Sequence, residues 1–200
     1  MTVLVSEYIN DVPDPRTRRA LQAMFDKILA SDCTQIKIDG TTVTATAAEV
    51  IRACDVSARI VTITETGSIT AAVNDGKVNL LGEVGGNALV TLTLPAATGS
   101  GARYYFCVSV VNTSNYVIKV ADATDTIDGT VMCVADGGDT VVGFEADGTD
   151  DTITLNGTTT GGAAIGDWVE LIDIAANQYA VSGQLTASGS EATPFSATVS

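Results

Sequence analysis

A chain of 200 residues with 24 acidic against 10 basic side chains, no histidine and a formal net charge of −14 can bury a real core. It is poorly suited to nucleic acid or an anionic membrane surface, and without imidazole it lacks Ser-His-Asp pairs, Cys-His pairs and the commonest metal ligand. The charge is uneven: residues 1–59 carry seven bases against eight acids, whereas from residue 120 onward there are thirteen acids and no base.

The cysteines Cys33, Cys54, Cys107 and Cys133 are widely spaced and form no C-x-x-C motif. They read as small buried hydrophobes of a protein made in a reducing cytoplasm. The opening "MTVLVSEYINDVPDP" lacks a basic leader region, and no apolar run reaches spanning length, so a soluble chain is expected. Charged residues make up 17% of the chain, which suggests surface hidden against neighbours.

Residues 1–14 read as an extended arm. Asp14-Pro15 supplies an N-cap followed by Pro at the first helical position. Leu21, Met24, Phe25, Ile28 and Leu29 then recur at spacings of three and four, which predicts one amphipathic helix from about 15 to 30. Its apolar stripe needs a protein partner, because the opposite face, with Arg18, Arg19, Gln22, Asp26 and Lys27, is not basic enough for a membrane-surface helix. Arg16, Arg18 and Arg19 form the one basic cluster, too short and too near Asp11 and Asp14 for a nucleic-acid arm.

In "QIKIDGTTVTAT", Asp39-Gly40 between alternating apolar residues predicts a hairpin. Thr46 to Glu49 is a capping-box pattern that opens a short helix. From Arg59 the texture becomes short apolar alternations separated by Gly, Asp and Asn. "ALVTLTL" sets Val90, Leu92 and Leu94 on one side, and "ARYYFCVSVV" does the same for Tyr104, Phe106, Val108 and Val110. "TVMCVA", "TVVGFEA", "DTITL", "WVELIDI" and "QYAVSG" follow, with breaks such as "PAATGSG", "DGTDD" and "NGTTTGGAAIGD". The pattern predicts a mainly-β chain: an antiparallel β-sandwich or barrel, jelly-roll-like, preceded by the arm, the helix and the small hairpin-helix segment. The expected divisions are an anchor segment at 1–60, a β domain at 61–183 and a flexible tail at 184–200.

Phosphate-loop readings fail: "GSGARY" lacks the third glycine of a dinucleotide fingerprint and opens a strand, and no GxxxxGK[ST] occurs. Asp150-Asp151, or Asp167 with Glu170, could act as glycosidase acid and base, but the turn setting favours solvated acids. Asp122, Asp125 and Asp128 are spaced by three, not by the two of a calcium hand, and Asp136/Asp139 and Asp147/Asp150/Asp151 are similarly loose. No catalytic residue, metal or cofactor is expected. Asn112-Thr-Ser and Asn156-Gly-Thr match a glycosylation pattern by chance.

"LPAATGSGARYYFCVSVVNTSNYVIKVADATDTIDGTV" (94–131) and "DTITLNGTTTGGAAIGDWVELIDIAANQYAVSG" (151–183) resemble a β domain of virion structural proteins of tailed bacteriophages. "TATAAEVIRACDVSARIV" (44–61) is similar to a linker phrase of phage head and fibre proteins. The resemblance implies a capsid decoration (cement) or head-fibre protein on the virion surface, often trimeric, with the major capsid protein as partner. Residues 1–60 would grip the shell, with Arg16, Arg18, Arg19, Leu21, Met24, Phe25, Ile28 and Leu29 as candidate capsid or subunit contacts. The competing expectation is a tail-fibre or receptor-binding module for host glycan, which aromatic-free loops such as "NGTTTGGAAIGD" disfavour.

Overall fold

A computed structural model describes residues 14–29, 37–38, 41–42, 59–63, 65–83, 89–138 and 140–199. The chain forms two compact units, 1–54 and 55–200. In the first, helix α1 spans Pro15–Leu29. The Asp14 carboxylate accepts the Thr17 N–H at 2.8 Å, and the Asp14 carbonyl accepts the first helical bond from Arg18 at 3.0 Å. Bonds from the Thr17 side chain and backbone hold the Asp14 carboxyl below its ordinary pKa. Strands β1 (Lys37–Ile38) and β2 (Thr41–Thr42) pair antiparallel with Ile38 opposite Thr41, the register that the Asp39-Gly40 signal predicts. The arm and the capping-box helix lie outside the described residues.

The second unit contains β3 (Ile60–Ile63), β4 (Gly67–Ser68), the one-turn helix α2 (Ala71–Asn74), β5 (Lys77–Leu81), β6 (Val90–Thr93), β7 (Arg103–Val108) and β8 (Tyr116–Lys119). Then come β9 (Thr126–Ala135), β10 (Val141–Asp150), β11 (Thr152–Leu155), β12 (Trp168–Ala175), β13 (Gln178–Ala187) and β14 (Phe195–Ser196). A seven-stranded sheet has the order β10-β9-β13-β12-β7-β5-β3, and a five-stranded sheet the order β14-β11-β8-β6-β4. Side chains from both sheets make one core, so the unit is mainly β and sandwich-like, with no closed barrel.

The sheets are mixed rather than antiparallel. From β3 to β8 the chain changes sheet at every connection, so each strand returns beside the one two before it, in the same direction. Hence β3, β5 and β7 run parallel in one sheet, and β4, β6 and β8 run parallel in the other. Connections such as "PAATGSG" and "NTSN" are therefore bridges between sheets, not hairpin turns. Hairpins join β9 to β10 and β12 to β13, with Asn177 at φ 63 in the second turn.

Alternation works where it is strict. Val90, Leu92 and Leu94 are buried, as are Tyr104, Phe106 and Val108, each contributing about 1.5–3 kcal/mol by the transfer scale. Val110 breaks the expected series: β7 ends at Val108, and Val110 is exposed. The expected flexible tail is overturned as well. β13 runs on to Ala187 with Leu185 and Ala187 buried, and β14 buries Phe195. Two Gly/Asp stretches, "DGTD" at 147–150 and "DG" at 128–129, lie within strands. "DGTDD" begins inside β10, where the register shifts between Asp147 and Asp150, and Gly129 lies within β9 at φ 134. A Cβ at Gly129 would sit 2.2 Å from the Val181 carbonyl oxygen, so only glycine lets β9 approach β13 there.

Candidate functional site

Three features of the second unit bear on chemistry: two glycine-rich loops and an aromatic cavity. The first loop, between β6 and β7, is closed on Asp173 of β12. Asp173 Oδ1 accepts the N–H of Thr98 at 2.9 Å and of Gly99 at 2.6 Å. Oδ2 accepts the Ser100 N–H at 3.0 Å, the Ser100 hydroxyl at 2.6 Å and the Thr98 hydroxyl at 3.1 Å. Consecutive amides turned inward make an anion-binding nest. Here the anion is the protein's own carboxylate. Burial alone would raise the Asp173 pKa, but the bonds from Ser100, Gly99 and Thr98 outweigh it and hold the carboxyl below its ordinary value.

The second loop, between β11 and β12, folds around Asn112 and Asp167. Asp167 Oδ2 accepts the N–H of Gly162 and of Thr186, both at 2.9 Å. Asn112 Nδ2 donates to the Leu155 carbonyl at 3.1 Å, and the Asn112 N–H to the Gly162 carbonyl at 3.2 Å. Asn156 Oδ1 accepts the N–H of Thr158 and Thr160, which shapes the turn itself. Burial pushes the Asp167 carboxyl above its ordinary pKa, and the bonds from Thr186 and Gly162 do not cancel that. Asn112 is buried and its amide bonded, so it is no glycan acceptor as it stands.

The candidate catalytic acids divide in the same way, and the expectation of solvated turn acids fails for Asp151 and Asp167, which are buried. Asp151 accepts the N–H of Thr198 at 2.8 Å and of Val199 at 3.0 Å, which fastens residues 198–199 to the sandwich. Asp122 bonds its neighbour Thr124, and Asp125 is buried and accepts the Ala97 N–H at 3.1 Å. Among the described residues no group of three or more potential ligands is placed to hold a metal ion. Nor, among those residues, is any helix long and apolar enough to cross a membrane.

Glu170 faces the other way from Asp173. The pairing of β7 with β12 sets Tyr105 opposite Glu170 and Cys107 opposite Trp168 on the face turned away from the core. Tyr105 and Trp168 stack with centroids 5.5 Å apart and an interplanar angle of 23°. The Arg103 guanidinium forks onto Glu170, with Nε to Oε1 and Nη2 to Oε2 both at 3.0 Å. That bonding, with the charge of Glu170, raises the Arg103 pKa. Beside them lies a cavity of about 190 Å³ lined by Gly76, Lys77, Val78, Arg103, Tyr105 and Glu170.

Of the helix residues expected to make contacts, Arg16 and Arg19 are exposed, and Arg18 and Leu21 are half-buried. The side chains of Met24, Phe25, Ile28 and Leu29 lie outside the described residues. Asp173 and Tyr105 escaped the sequence reading as site residues, because each sits in an alternating strand that looks wholly structural. Compared with known proteins, the chain matches no family model, no curated protein and no solved structure.

Proposed function

We propose that the chain is a structural protein of a tailed-bacteriophage particle, of the capsid decoration or head-fibre type. Its first unit attaches to the major capsid protein on the outer shell, and its β unit projects outward, in a homo-oligomer for which a trimer is favoured. The carrying observation is the division of charge between the units. Residues 55–200 hold seventeen acids against four bases, whereas residues 1–54 hold seven against six. An acidic β unit keeps particles apart, and a balanced segment with an amphipathic helix can lie against protein. The phage-like phrasing of residues 94–131 and 151–183 supports the same reading. Attachment is by avidity: weak contacts repeated over a lattice multiply.

The test is deletion of residues 1–32, followed by cryo-electron microscopy of particles mixed with the truncated protein. The β unit should stay folded and decoration should be lost; full occupancy would overturn the division of labour. Hundreds of full-length copies per particle mean capsid, and a handful mean tail. The second reading, recognition of host-surface glycan, gains support from the Tyr105–Trp168 pair, which stands on the outer sheet face although the loops lack aromatics.

A further inference from the structure

We propose that the cavity beside Tyr105 binds a single neutral sugar ring, the terminal pyranose of a glycan. The inference rests on the second reading alone and is independent of how the chain attaches to a particle.

Three observations specify the ligand. The first is size: about 190 Å³ is below the 300–1,000 Å³ of pockets that take drug-sized molecules, so the cavity suits one ring. The second is the aromatic wall. Tyr105 is held by its stack on Trp168, and an aromatic face in a fixed orientation offers flat apolar area to the C–H face of a pyranose at little entropic cost. The third is the paired charge. Arg103 and Glu170 neutralise each other and leave the Lys77 ammonium as the remaining charge on the lining, so an isolated cation finds no net opposite charge and a small anion is the alternative that acetate separates. The pair still presents guanidinium N–H donors beside carboxylate lone pairs, because the fork uses two of the five guanidinium donors. Adjacent hydroxyls, each a donor and an acceptor, match that surface.

The pair is also in place before any ligand arrives. The Arg103 N–H donates to Asp75 Oδ1 at 2.9 Å, and the Gly76 N–H donates to the Arg103 carbonyl at 2.9 Å, fixing the turn that forms the cavity's floor. Preorganisation of this kind lowers the ordering cost of binding.

The chain's single tryptophan is the reporter, since Trp168 lies directly behind Tyr105. The full-length protein is titrated with methyl α-D-glucopyranoside, methyl β-D-galactopyranoside and N-acetylglucosamine, and binding is read by Trp168 emission and by ligand-observed NMR. Tetramethylammonium and acetate serve as the cationic and anionic alternatives. Ordinary ligand efficiencies place a single pyranose at a Kd on the order of 1 mM. The expected result is a saturable response to at least one sugar. It should weaken at least tenfold in Tyr105→Ala and in Arg103→Lys, which keeps the charge and loses the fork, and persist in Tyr105→Phe. If Tyr105→Ala does not fold, the Arg103→Lys and Tyr105→Phe pair decides. No saturable response to any of the three sugars at about 50 mM, well above that Kd, would overturn the proposal. So would a response unchanged in Arg103→Lys, or tighter binding of tetramethylammonium or acetate than of the sugars.

Discussion

The loop at 95–102 and the loop at 156–167 are built from the same parts, yet their carboxylates shift in opposite directions. Each carries glycines at positive φ and closes on a buried aspartate of the β12 region: Asp173 for the first, Asp167 for the second. Five donors spread over both oxygens of Asp173 overcome its burial, whereas for Asp167 burial is the larger effect and the bonds from Thr186, Gly162 and Ala164 do not cancel it. The balance between burial and donors decides whether such a carboxylate favours its charged form.

The comparison can be broken by mutation. The largest loss is expected from Asp173→Asn. An amide cannot accept at both ends, so at least one buried N–H of Thr98, Gly99 or Ser100 is left facing a donor. We expect about 4 kcal/mol by urea unfolding at pH 7. Because the folded pKa of Asp173 is lowered, its stabilisation is present above the unfolded value near 3.9 and is lost as pH falls through the folded one. The gap between wild type and variant should therefore close only below about pH 4.

Next is Gly157→Ala. The residue has φ 72, and a Cβ there would lie 2.1 Å from the Asn112 carbonyl oxygen, so a cost of about 3 kcal/mol is expected. Asp167→Asn should cost less, about 1 kcal/mol at pH 7, because both amides bond the same oxygen and an asparagine carbonyl can keep both. Its pH signature runs the other way from that of Asp173. A raised folded pKa adds stability that is full below the unfolded value near 3.9 and lost as pH rises through the folded value. Wild type should therefore gain Tm over Asp167→Asn on acidification from pH 7 towards 4. An equally small effect, about 1 kcal/mol, is expected from Gly101→Ala, where nothing lies within 4 Å of the added Cβ and only φ 75 opposes it. Equal costs for Gly157→Ala and Gly101→Ala would show that the second loop does not pack on Asn112 as described.

The strands were legible where side chains alternate strictly, as in Val90, Leu92 and Leu94, because a face is a local property. The Asp14 cap and the pairing of Ile38 with Thr41 were legible for the same reason. The partners of those strands were not. Parallel pairing of β9 with β13 joins Thr126 to Gln178 across half a hundred residues, and no local signal encodes it. Asp128-Gly129 has the composition of a turn, but its glycine serves a close approach to Val181 within a strand. Asp151 and Asp167 have the composition of solvated acids, and only the donors brought by distant Thr198, Val199 and Thr186 explain their burial. The aromatic cavity was hidden for a related reason. Tyr104 and Tyr105 are neighbours in sequence, yet one is core and the other faces outward, and which is which depends on where the second sheet lies.

The central claim is that both glycine-rich loops are closed on the protein's own carboxylates rather than open to a ligand. A ¹³C NMR titration of the aspartate carboxyl carbons tests it most directly, because both groups can be followed in one sample. The account predicts Asp173 below and Asp167 above the ordinary aspartate value of about 3.9. Two aspartates titrating together at that ordinary value would contradict it, since each would then be solvated and its loop unfastened.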